Sequence, residues 1–83
     1  PPSPRWQARA KGRQLAVSPA HEDFAALLAE ALDTLAACDW DVGVAAKRLN
    51  VTASQLVKLL QREPPALGQL NDQRRLRQLV PLK

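Results

Sequence analysis

The chain contains no methionine and no tyrosine, and among its 83 residues only Trp6, Phe24 and Trp40 are aromatic. One cysteine, Cys38, excludes an internal disulfide and fits a reducing cytoplasm, where we expect the protein to reside. One histidine, His21, lacks a second His or a Cys at ligand spacing, so no metal site is expected. No apolar stretch approaches the about 20 residues of a membrane span, and no apolar signal segment opens the chain, so no membrane partner is expected. β-Branched and aromatic residues are scarce while Leu and Ala dominate, which favours helix.

Shortness excludes more. A chain of this size hides only roughly 60% of its unfolded surface, enough for one modest core and no deep cleft. The paired carboxylates Asp39 and Asp41 could do acid–base work, but they stand at a helix start, where capping accounts for them. The expectation is a non-catalytic domain without a cofactor. Beginning at Pro1 rather than at a methionine, the chain reads as a processed chain or, in preference, as a fragment of a longer protein, covalently linked to an upstream domain.

The net charge of +4 is unevenly spread. Arg5, Arg9, Lys11 and Arg13 lie before residue 18, and Arg74, Arg75, Arg77 and Lys83 after residue 73. All eight acids fall between them, against Lys47, Arg48, Lys58 and Arg62. Basic ends around an acidic centre differ from the uniform basic footprint of a strong nucleic-acid binder.

Residues 1–17 read as a basic, proline-containing linker or tail, with three prolines in the first four residues and no apolar periodicity. Trp6 is there either exposed or tucked against the domain or a partner. The helical domain is placed at 18–80 and a short tail at 81–83. A first helix is expected from Ser18 (cap) and Pro19, with Phe24, Leu27, Leu28, Ala31, Leu32 and Leu35 as its apolar stripe. After the connector Cys38-Asp39-Trp40-Asp41, a second helix is expected over Val42 to Leu49, capped by Asp39 or Asp41. Trp40 reads as a core plug and Cys38 as a small apolar residue.

Asn50 can take the left-handed backbone that a sharp turn needs. Thr52-Ala53-Ser54-Gln55 has the form of a capping box that opens a third helix to about Arg62. A fourth helix is expected from Pro65 to about Gln78, anchored by Leu67, Leu70 and Leu76, with an extended end at Val80 to Lys83. The fold class is therefore all-α: a small bundle of about four helices with a trihelical core.

The stretch "WDVGVAAKRLNVTASQLVKLLQR" carries the functional argument. Two helices meeting at a sharp angle need a small residue at their closest approach, and Ala46 stands there. Asn50 supplies the turn, Val51 plugs the space beneath it, and Leu56 and Leu59 face inward. Residues 41–62 thus resemble a helix-turn-helix. From Leu27 to Arg62 the chain resembles the C-terminal module of Fis and related activators, with Asn50 at the usual glycine and about twenty residues following the last family helix. The same stretch with the following "PPAL…LN…R…VPL" is similar to a C-terminal extension of bacterial peptide-chain release-factor-like proteins, although this chain has no Gly-Gly-Gln loop.

The second resemblance implies an accessory domain that contacts RNA or the ribosome and positions a catalytic neighbour. The first implies a regulator that binds duplex DNA with residues 53–62 in the major groove. A third reading is a protein-interaction module whose apolar helix face docks a partner or a second copy, making a homodimer. The candidate nucleic-acid contacts are Thr52, Ser54, Gln55, Lys58, Gln61 and Arg62 on the third helix, and Arg74, Arg75 and Arg77 after it.

Overall fold

The structure, a computed structural model, describes residues 2–77. The expected end of the last helix at Gln78, the extended segment from Val80 and the tail 81–83 lie outside the described residues. In chain order the elements are α1 (Pro4–Arg9), β1 (Ala10–Lys11), β2 (Gln14–Leu15), α2 (Phe24–Ala37), α3 (Val42–Arg48), α4 (Ala53–Gln61) and α5 (Pro64–Leu76). The fold is mainly helical, as the composition requires. Among the described residues it has five helices rather than four, and it adds a two-stranded sheet.

Both additions lie in the segment read as a tail. Ser3 caps α1 by accepting from the Trp6 backbone N–H, and Pro4 occupies the first turn, where its missing N–H costs nothing. The Trp6 side chain is fully buried, and its indole Nε1 donates to the Leu49 carbonyl at 2.7 Å. One buried tryptophan removes about 150–250 Å² from water in a typical protein, more than any single aliphatic position of a periodic stripe. That is why a segment without periodicity still packs. β1 and β2 pair antiparallel, Ala10 opposite Leu15 and Lys11 opposite Gln14. Gly12 and Arg13, at φ 58° and 64°, form the two-residue link of the primed type that matches strand twist. Val17 then enters the core.

The first long helix starts at Phe24, not at Ser18. Ser18 does cap, but what it caps is a turn: its Oγ accepts from the Ala20 N–H and its carbonyl from the His21 N–H. Between Ser18 and Asp23 no large apolar side chain exists to hold a helix against the core, so α2 begins where the stripe begins. Phe24, Leu27, Ala31 and Leu35 are buried; Leu28 and Leu32 lie at the stripe's half-buried edge.

α2 and α3 end by the same device. At the end of α2, Trp40 N–H donates to Leu35 O and Asp39 N–H to Ala36 O. At the end of α3, Val51 N–H donates to Ala46 O and Asn50 N–H to Lys47 O. These are paired six-to-one and five-to-two closures with a left-handed residue, Asp39 at φ 55° and Asn50 at φ 56°, in the place glycine commonly takes. Each closure drives the following residue, Trp40 or Val51, into the core. Asp41 rather than Asp39 caps α3, its Oδ1 accepting from Val44 N–H at 3.1 Å.

Half of the expected capping box at α4 forms. Thr52 Oγ1 accepts from Gln55 N–H at 3.1 Å, but the Gln55 side chain does not return to Thr52. It accepts instead from Leu15 N–H, and Thr52 N–H donates to Arg13 O, because the hairpin occupies that side of α4. α5 opens on Pro64 and buries Ala66 and Leu70, with Leu67 half-buried. Leu76, expected as an anchor, is 76% exposed: the helix has run past the core it packs on. Trp6, Leu27, Leu35, Leu49, Val51, Leu56, Leu60 and Leu70 are the fully buried large side chains, drawn from α1, α2, α4, α5 and the turn between α3 and α4.

Candidate nucleic-acid interface

α4 turns Leu56, Leu59 and Leu60 inward, which leaves Ser54, Lys58 and Gln61 as an exposed strip. An open groove runs beside that strip. Ala53, Ser54, Val57, Lys58 and Gln61 line it from α4, Asp41, Val42 and Gly43 from the start of α3, and Arg74 from α5. Its charges are mixed, since Lys58 and Arg74 share it with Asp41, whose carboxylate is held by its cap bond.

Of the nine candidate contacts, the groove gathers Ser54, Lys58, Gln61 and Arg74. Thr52 is exposed, but its hydroxyl is spent on the cap. Gln55 is half-buried and ties down the hairpin through Leu15. The Arg62 guanidinium donates to the Val17 carbonyl. Arg74 also donates to Trp40 O at 3.4 Å. Arg75 pairs with Asp72 at 2.8 Å, and Arg77 approaches Asp39 at 3.7 Å while donating to the Gln73 carbonyl and side chain. The arginine run after residue 73 therefore does not act as one cluster, because two of its three charges face acids of their own.

A similar division holds for the other basic residues. Arg5 and Arg9 both pair with Asp23, at 3.5 and 3.2 Å, and Arg9 also bonds His21. Lys11, Arg13, Lys58 and Arg62 form no ion pair among the described residues. Lys11 and Arg13 are not among those candidates, yet the hairpin is tied to α4 at Arg13, whose carbonyl accepts from Thr52 N–H, with Lys11 on the neighbouring strand β1. The one signal for them in the sequence is a glycine followed by a single residue between two short stretches, a weak hairpin cue.

Among the described residues no group of three or more His, Cys, Asp or Glu side chains is placed to hold a metal ion. No described helix is long and apolar enough to cross a membrane. Cys38 and Trp40 are buried. No protein-family model, no curated protein and no solved structure matches the chain.

Proposed function

We propose that this chain is a non-catalytic nucleic-acid-binding domain of a larger protein, with α3 and α4 acting as a helix-turn-helix and α4 as the contact helix. The observation that carries the reading is the outer strip Ser54, Lys58 and Gln61, exposed on a helix whose other faces are fixed by the core, the hairpin and α5. The turn between the two helices has the features such a unit needs: Ala46 at 2% exposure, Asn50 left-handed and Val51 fully buried. The similarity to release-factor-like extensions directs the domain toward structured RNA or the ribosome, where it would position a catalytic neighbour without itself reacting.

Duplex DNA is the second reading, and one feature favours it. The deep, narrow major groove of A-form RNA does not admit a helix, whereas that of B-DNA does. A strip of small and medium polar side chains on a capped helix fits the wider groove.

Fluorescence anisotropy with an RNA hairpin and a mixed-sequence DNA duplex, titrated in parallel at about 50 and 200 mM salt, tests the proposal. Tighter, salt-sensitive binding of the RNA is the expected result, with Lys58→Glu weakening it on the order of tenfold. Preference for the duplex would install the DNA reading. No binding of either at the lower salt would overturn the proposal and leave the groove beside α4 as a protein-docking surface.

A further inference from the structure

Three hydrogen bonds lay the hairpin and the segment after it along α4, in the same direction. Thr52 N–H donates to Arg13 O, Leu15 N–H to Gln55 Oε1, and the Arg62 guanidinium to Val17 O. The Gly12-Arg13 turn is therefore held at the N-terminal end of the contact helix. Its two cations, Lys11 and Arg13, are exposed, and neither makes an ion pair among the described residues. The other arginines of the same segment, Arg5 and Arg9, are turned to Asp23.

The turn chemistry is also unusual. Both link residues need φ above zero, for which Asn-Gly, Asp-Gly or Gly-Gly is the usual solution. Here an arginine takes the second place at φ 64°. Its side chain contributes little to holding the turn, since its bond to Val51 O is 3.4 Å long. The backbone carbonyl makes the closer tie, to Thr52 N–H at 3.0 Å.

We propose that the β1–β2 hairpin is a phosphate-contacting arm, with Lys11 and Arg13 binding the sugar–phosphate backbone that borders the groove or face occupied by α4. This rests on the nucleic-acid reading of α4. On a B-form duplex the dimensions agree: a helix with its side chains is about 10–12 Å across and the major groove about 12 Å wide, so an element beside a seated helix lies over the bordering phosphates. Arg13 is tied to the start of α4 through its carbonyl, Lys11 precedes it by two residues on β1, and Lys58 and Arg62 follow along α4. The acids Glu22, Asp23, Glu30 and Asp33 belong to α2 and the turn before it.

The test is the salt dependence of binding to an RNA hairpin and to a DNA duplex about two turns long. The variants are Lys11→Gln/Arg13→Gly, in which glycine suits the turn, and Lys11→Gln alone, which removes no hydrogen bond of the fold. Arg5→Gln, a cation paired with Asp23, is the control. With the probe that the wild type prefers, the double variant should lower the slope of log K against log salt by about 1.8 for a duplex, two contacts at 0.9 each. Lys11→Gln should weaken binding more than Arg5→Gln does, although the two change the net charge equally. Circular dichroism should show unchanged helix content in all three. An unchanged slope in the double variant, with Lys58→Glu still weakening binding, would overturn the arm and leave the contact helix standing. Equal loss in Arg5→Gln would reduce the effect to net charge and overturn the arm as well. If the wild type binds neither probe, the arm falls together with the reading of α4.

Discussion

Residues 41–62 and residues 2–17 supply side chains to the same core, but they are held there in opposite ways. In the first region the bonds that shape the elements are local: Asp41 caps α3, Asn50 closes it, Thr52 caps α4, and each bond spans three to five residues. In the second, the decisive contacts cross most of the chain. Trp6 donates to Leu49, 43 positions away, Leu15 to Gln55 across 40, and Arg62 reaches back 45 to Val17. Local contacts are written in the order of residues, so a reader of the sequence can find them. Contacts of the second kind depend on a surface that exists only once the helices have packed.

The comparison breaks first at Trp6. Trp6→Ala removes a fully buried ring and leaves the Leu49 carbonyl without its donor, and it should cost about 3–5 kcal/mol. That is a large part of the stability of a small domain. Urea unfolding followed by the remaining buried Trp40 should show one transition with a much lower midpoint, because Leu49 sits at the end of α3 and the two regions share it. A transition unmoved within error would show the N-terminal segment to be an appendage, as its composition implies. Trp6→Phe, which keeps most of the apolar area, should fall between the two and report the indole bond.

The local region should yield smaller losses that are alike at each cap. Thr52→Ala and Asp41→Ala each remove one side-chain bond to an N–H group at a helix start, worth about 1 kcal/mol. Their effects should add in the double variant, since the two caps share no partner. A loss at Thr52 well above that at Asp41 would mean that disturbing the cap also loosens the Thr52 N–H bond to Arg13 O, and that the hairpin depends on it.

How much was legible follows from the same distinction. The stripe of α2, the turn at Asn50 and the burial of Leu56 and Leu59 follow from spacing, and the structure has them. The start of α2 does not, because a serine before a proline caps a turn as readily as a helix. Nor does the fate of Leu76, whose spacing fits a stripe that the core is too short to cover. On the candidate interface, the outer strip of α4 was legible as what remains after the leucines turn inward. The destination of the charges was not. Arg75 and Arg77 look like a cluster in sequence and meet Asp72 and Asp39 in space, while Lys11 and Arg13 look like part of a tail and belong to a hairpin tied to α4. Strands of two residues carry no alternation to read, so the hairpin left no periodic trace.

The finest distinction lies within a single residue. Arg13 ties the hairpin to α4 through its carbonyl, while its guanidinium reaches Val51 O only at 3.4 Å. Arg13→Gly keeps the carbonyl and suits φ 64°, and it adds backbone freedom to the unfolded chain. These two effects oppose each other, so stability should move by no more than about 0.5 kcal/mol, read as a shift in the urea midpoint at constant slope. A clear gain would mean that strain at the left-handed arginine outweighs the entropy of glycine. A loss of a full kcal/mol would mean that the guanidinium, long bond notwithstanding, holds the turn of α3 and α4 from outside. Arg13 would then belong with the residues that build the N-terminal segment onto the core, and Lys11 alone would remain as the cation that the hairpin leaves free.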